Sequence, residues 1–182
     1  MSSTWKQKRF WEQAQVTESA GRFAVELDGR SVKTPAKASL ILPTRAMAEA
    51  IAAEWQAQQD VVNPQTMPCT RSANAALDKV QVKHDEVADM LAEYGDSDLL
   101  CYRAESPIEL VQRQTEQWDP ALEWAETELG ARLHTRRGVQ HQSQEIDTLQ
   151  GLRARVRGLS ALQLAAFHDL FSMSAPLMWG SA

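Results

Sequence analysis

Between Phe23 and Thr44 the apolar residues change their period, and that change restricts the fold more than any other feature. Phe23, Val25 and Leu27 alternate with Ala24 and Glu26, the two-residue period of a half-buried strand. Asp28-Gly29 follows, a pair suited to a tight turn because both residues tolerate positive φ. Arg30 to Thr34 returns as a second strand and stops at Pro35. Leu40-Ile41-Leu42 supplies a third, and Gln13 to Thr17 another ahead of Gly21. Together they predict a small antiparallel meander. From Thr44 onward Met47, Ile51 and Trp55 recur every four residues. That is one stripe of a helix, with Thr44 as its cap.

The rest of the chain carries helical signals. Asn63-Pro64 is a cap followed by proline, opening a short turn that Met67-Pro68 interrupts. Ala73, Leu77, Val80, Val87 and Leu91 place one long helix over about Arg71 to Tyr94, with Gly95 as its left-handed C-terminal residue. Ser106-Pro107-Ile108-Glu109 reads as a capping box with proline at the first helical position. Asp119-Pro120 reads as a break before a fresh helix that Gly130 closes. Ala131 to Val139 is a short strand or an extended loop. Leu149, Leu152, Val156 and Leu159 mark a further helix, and Ser160 to Gln163 caps a last one. The fold class is therefore α+β. A small N-terminal antiparallel β lobe with a helix, residues 1–70, precedes a mainly α-helical domain, residues 71–182.

The 182 residues suffice for one sizeable domain or two small lobes with a shared core. An apolar fraction of 43% with 24% charged residues excludes a disordered chain. The net charge of -5 argues against nucleic acid as a partner. No apolar run approaches the ~20 residues of a membrane helix, so membrane insertion is not expected. Met1 to Trp11 is basic without an apolar stretch behind it, unlike a secretory signal. Cys69 and Cys101 form no CxxC, which points to reduced thiols in a cytosol-like compartment.

Candidate chemistry concentrates in Tyr94-Gly95-Asp96-Ser97-Asp98-Leu99-Leu100-Cys101-Tyr102-Arg103-Ala104. Asp96 and Asp98 could hold a hard divalent cation for a metal-assisted hydrolase, because carboxylate oxygens suit such ions. Two carboxylates are too few ligands, and no second acidic cluster follows. The favoured reading is that Asp96 or Ser97 caps a short turn after Gly95. Gly95, Asp96, Asp98 and Arg103 then form a structural joint between helices. His84, His134, His141 and His168 form no metal-binding spacing. His168 and Asp169 are neighbours, expected to point apart on a helix. There is no GxSxG and no phosphate loop, and Cys101 reads as a buried thiol. Arg132, Arg136, Arg137, Arg153, Arg155 and Arg157 make the third quarter basic, a solvated face or a rim for an acidic protein partner. Among six tryptophans, Trp5, Trp11 and Trp179 are those expected outside a closed core and are the partner-binding candidates.

Read together, several of these runs resemble the ATP12 chaperones, which assist assembly of the F1 part of ATP synthase. They are Phe23 to Arg30, Lys33-Thr34-Pro35, Leu42-Pro43-Thr44, Ile51 to Trp55, Met67 to Asn74, Tyr94 to Ala104, Trp118-Asp119-Pro120 and His168-Asp169-Leu170. The resemblance spans nearly the whole chain. It implies an N-terminal α+β lobe with a helical domain, no catalysis and no cofactor, and a protein client, the free F1 α subunit, held against aggregation. The family is mitochondrial in eukaryotes, and a start without a transit-type leader suggests a bacterial, cytoplasmic member. The resemblance also implies a C-terminally shortened member. The family continues beyond the position of Gly180 and includes a functionally important glutamate that has no counterpart here. An adaptor for another protein client is the further alternative.

Overall fold

The computed structural model describes residues 8–174. Within that range the chain forms two compact units, residues 8–82 with 161–174, and Lys83–Ser160. The fold is α+β, with a three-stranded antiparallel sheet near the N-terminus and six α-helices.

In the first unit, β1 (Ala14–Ser19), β2 (Arg22–Leu27) and β3 (Arg30–Ser31) lie in that order. Ala14 faces Leu27, Val16 faces Val25 and Glu18 faces Phe23. Asp28 and Gly29 both adopt positive φ, +48° and +77°, as the mirror-image hairpin turn requires. The Asp28 carboxylate accepts the N–H groups of Glu12 and Gln13, each at 2.9 Å, which ties the entry to β1 onto the turn. The third expected strand is reduced to one bridge, in which Phe23 and Leu42 exchange bonds of 2.9 and 2.8 Å.

Helix α1 (Arg45–Gln56) starts where expected, with the Thr44 hydroxyl accepting the N–H of Met47. It buries Ala48, Ile51 and Ala52 in a core shared with Trp11, Val25, Leu27, Leu40 and Leu42. At its other end Arg9 donates to the carbonyls of Gln56 and Gln58, where a cation offsets the partial negative charge of orphan carbonyls. Trp11 was expected outside the core. Instead it is 3% exposed, edge-on to Trp55 and Phe10 with ring centroids 5.2 Å apart in each pair. Its indole is a large apolar surface, and the bonds from Arg9 to the carbonyls of Trp11 and Glu12 draw this stretch against α1.

Asn63 caps the turn Pro64–Thr66, and α2 (Pro68–Ala75) follows, with Pro68 opening the helix. Glu54 of α1 joins the two helices. Its carboxylate accepts the N–H of Cys69 (2.6 Å), the N–H of Thr70 (2.8 Å) and the hydroxyl of Thr70 (2.6 Å). The single helix expected over Arg71 to Tyr94 is two. Residues Ala76–Val80 widen into a π turn, with the Gln81 N–H bonded to the Ala76 carbonyl, and Lys83 leaves helical dihedrals at φ -121°, ψ 34°. β-Branched Val80 and Val82 favour that departure. Helix α6 (Ala161–Ser174) packs against α2 and the π turn, and its Leu164 and Ala165 are buried.

The second unit holds α3 (His84–Glu93), α4 (Ile108–Leu129) and α5 (Ile146–Arg157). It also has a short parallel pair, β4 (Tyr102–Arg103) with β5 (Arg136–Arg137), which resolves the ambiguous stretch before Val139. Two expectations fail on α4. The Ser106 side chain caps nothing; Pro107 occupies the cap position without a side-chain bond, after a cis Ser106–Pro107 peptide. Asp119-Pro120 does not break the helix. Arg103 holds the two residues just before the proline, its guanidinium over the Trp118 ring at 5.2 Å and paired with Asp119. Glu116, whose carbonyl loses its helical donor, is exposed, so that carbonyl can meet water. Gly130 does close α4 at φ +63°.

Asp89 of α3 binds Arg157 of α5 through both oxygens, at 2.8 and 2.6 Å. The bond from Arg157 lowers the Asp89 pKa, and the backbone N–H groups of Gln13 and Glu12 lower that of Asp28. A carboxylate that is more acidic folded than unfolded stabilises above its unfolded pKa of about 3.9 and loses that contribution as pH falls below it. Thermal unfolding across pH 2.5 to 7 is therefore expected to separate Asp28→Asn and Asp89→Asn from the parent near neutrality. The curves should converge at the acid end; a constant offset would contradict the assignment.

Candidate functional site

The Tyr94 to Ala104 stretch follows α3 as two short 3₁₀ turns, Tyr94–Ser97 and Leu99–Cys101, and runs into β4. Gly95 does not take the left-handed conformation expected of it. Its role is contact: a Cβ there would lie 3.1 Å from Leu152 Cδ1 of α5, so the glycine lets the turn approach that helix.

The two aspartates are occupied by backbone. Asp96 Oδ1 accepts the N–H of Gln144 at 2.6 Å, and Oδ2 lies 3.2 Å from His141 Nε2. Asp98 Oδ1 accepts the N–H of Leu100 at 2.8 Å, capping the second turn. A groove of about 440 Å³ beside α3 and α5 is lined by Glu93, Asp96, Leu149 and Arg153 among others, but not by Asp98. The carboxylates therefore do not converge on one site. Among the described residues no group of three His, Cys, Asp or Glu side chains is arranged to hold a metal.

The remaining residues are also engaged. Cys101 is fully buried, and burial, then the nearby Asp98 charge, push its thiol pKa up, away from nucleophilic use. Arg103 pairs with Asp119, and the Ala104 N–H bonds to Gln114 Oε1 at 2.8 Å. Tyr102 lies under the Arg136 guanidinium and bonds through its hydroxyl to His141 Nδ1 at 3.2 Å. His84 Nε2 meets the Leu159 carbonyl at 2.7 Å. His168 and Asp169, expected to point apart, approach to 3.7 Å, beyond hydrogen-bond reach. The arginines of the basic quarter serve largely as ties. Arg153 and Arg157 face Asp89, Arg155 donates to the carbonyls of Glu128 and Leu129, and Arg136 is buried.

Trp5 and Trp179, the other two tryptophan candidates, lie outside the described residues. Sequence reasoning did not single out Trp124 of α4, which is 56% exposed. It lies on a helix of which only Ala125 is buried, a fact of packing that the sequence does not announce.

The family model described as ATP12 chaperone protein matches residues 8–126. The chain belongs to the ATP12 chaperone family. A mitochondrial relative, Protein atp12 of Schizosaccharomyces pombe, is 30% identical over 172 residues, covering 88% of this chain. The chain spans 59% of the length of that relative. The crystal structure of Atp12 from Paracoccus denitrificans is 48% identical, with a TM-score of 0.86 over 93% of this chain and 72% of its own. The D202K mutant of the same protein gives 49% identity and a TM-score of 0.87 over 92% of this chain and 72% of its own. All the ATP12-like runs from Phe23 to Pro120 lie within the family match.

If the acidic turn is structural, Asp96→Ala will strand the N–H of Gln144, a residue only 4% exposed. The expected cost is about 1–3 kcal/mol in denaturant unfolding. Asp96→Asn keeps an acceptor oxygen and should cost less; equal losses would point to a role for the charge itself.

Proposed function

We propose that the protein is an assembly chaperone of ATP synthase that holds the unassembled F1 α subunit and limits its aggregation. The observation that carries this reading is the ATP12 family match over residues 8–126. The geometry of the acidic turn supports it, because both carboxylates are used on backbone N–H groups. A metal-assisted hydrolase would need them free and convergent. In this reading Gly95, Asp96, Asp98 and Arg103 form a joint that fixes the path from α3 to α4. The protein acts without catalysis or cofactor, and release requires only that assembly partners compete for the same client surface. A bacterial cytoplasmic setting fits the likeness to the Paracoccus denitrificans protein, while the Schizosaccharomyces pombe relative is mitochondrial. Among the described residues no helix is long and apolar enough to cross a membrane.

The test is co-purification of the tagged chain with F1 α expressed without the other F1 subunits. A complex is expected at low and moderate salt. Failure to retain α at any salt concentration would reject the reading, and capture of a different client with α ignored would favour the adaptor alternative.

A further inference from the structure

In an antiparallel ladder, alternate residues direct both backbone groups to one neighbour. Phe23 uses its N–H and its carbonyl on Leu42, and the Val25 carbonyl accepts from Val32 at 2.8 Å. Their partners across the sheet, Glu18 and Val16, are therefore the non-hydrogen-bonded pairs of β1 and β2. The N–H and C=O groups of Glu18 and Val16 point away from β2. Ala14 has the same orientation, and its outward N–H is taken by Gln56 Oε1 at 2.8 Å. Among the described residues nothing takes those of Val16 and Glu18.

We propose that the outer edge of β1 at Val16 to Glu18 is a docking strand on which an extended segment of the protein client pairs as an additional strand. The proposal rests on the chaperone reading and names the surface it uses. Free main-chain groups specify the occupant, because only another extended backbone matches their spacing. The strand Ala-Gln-Val-Thr-Glu-Ser carries no lysine, proline or bulge, the devices that usually guard an exposed edge. Gln15, Thr17 and Ser19 lie on the face opposite the core side that Ala14 and Val16 pack against. A docked segment would place polar or β-branched residues beside Gln15 and Thr17 and an apolar one beside Val16. At the end of the edge Glu18 pairs with Arg45, which covers the Phe23 ring, leaving a rim of both charges. A second copy of this chain is the poorer occupant. A ladder through two residues buries far less than the ~1,200–2,000 Å² of a stable interface, whereas an unassembled subunit offers unpaired backbone and needs only a transient hold.

Glu18→Pro removes one outward N–H and places a ring on the edge, while the bonds between β1 and β2 use other residues; proline is tolerated at such positions. Glu18→Gln removes the charge and keeps the N–H. Affinity for unassembled F1 α should fall at least about tenfold for Glu18→Pro and stay within about twofold for Glu18→Gln. Wild-type affinity in a natively folded Glu18→Pro variant would overturn the proposal. If that variant does not fold, hydrogen exchange on the wild-type complex decides: slowed Val16 and Glu18 amides are expected, and unchanged ones would overturn it. A proline variant that abolishes a homodimer without touching client affinity would assign the edge to a second copy instead. Loss of α binding in the wild type itself would mark failure of the chaperone reading rather than of the edge alone.

Discussion

Replacing Trp11 by alanine should destabilise the chain by about 3–5 kcal/mol, the range for emptying a buried aromatic site. The indole is 3% exposed and lies edge-on to both Phe10 and Trp55. Removing it leaves a cavity beside Trp55 in the buried cluster that includes Val25, Leu27 and Ile51. The indole N–H has no hydrogen-bond partner among the described residues. Trp11→Phe therefore removes an unsatisfied donor along with part of the ring and should cost markedly less than alanine. Denaturant unfolding followed by the remaining tryptophans measures both. Client binding by Trp11→Ala, compared at equal folded concentration, should match the parent. A native-stability Trp11→Ala protein that has lost its client would return this residue to the binding surface.

Glu54→Ala should cost about 2–3 kcal/mol, less than the sum for three separate charge-assisted bonds because one carboxylate makes them all. The Glu54 oxygens receive two N–H groups in the first turn of α2 and the Thr70 hydroxyl, so its loss strands donors at a helix start where a negative charge is favoured. Thr70 is 4% exposed, so water cannot readily replace the acceptor. Glu54→Gln keeps one acceptor oxygen but presents an amide to the remaining donors, and should recover roughly half of the loss. Equal stability of Glu54→Ala and the parent would show that this contact does not hold α1 to α2.

Signals that act between near neighbours were legible in the sequence. Asp28-Gly29 marked the hairpin, Thr44 the start of α1, Asn63 the cap of the turn before α2, and Gly130 the end of α4. Signals overridden by distant partners were not. Asp119-Pro120 has the local chemistry of a break, but Arg103, sixteen positions earlier, holds both Trp118 and Asp119. Gly95 has the composition of a helix terminator, yet its neighbours are Leu149 and Leu152 of α5. Asp96 was read as a cap for its own turn; it binds a backbone N–H forty-eight positions away. Trp11 sits in a basic, polar stretch, and distant partners make it core: Arg9 bonds to the end of α1, Asp28 holds the next two residues and the Trp55 ring packs against the indole. The open edge of β1 was invisible for a related reason. It depends on which backbone groups β2 turns toward Leu42, a choice that no residue in β1 encodes.

A chain that holds a protein client, with an acidic turn that serves only the fold, should keep that client soluble without the charges of the turn. The most direct measurement is light scattering from unfolded F1 α diluted into buffer, with the chain present in excess, either wild type or carrying Asp96→Asn and Asp98→Asn together. Both proteins are expected to suppress scattering and to leave α in a soluble complex, because asparagine oxygens can still accept the N–H groups of Gln144 and Leu100. Unsuppressed aggregation with the folded wild-type chain, or suppression lost in a folded double variant, would contradict the account.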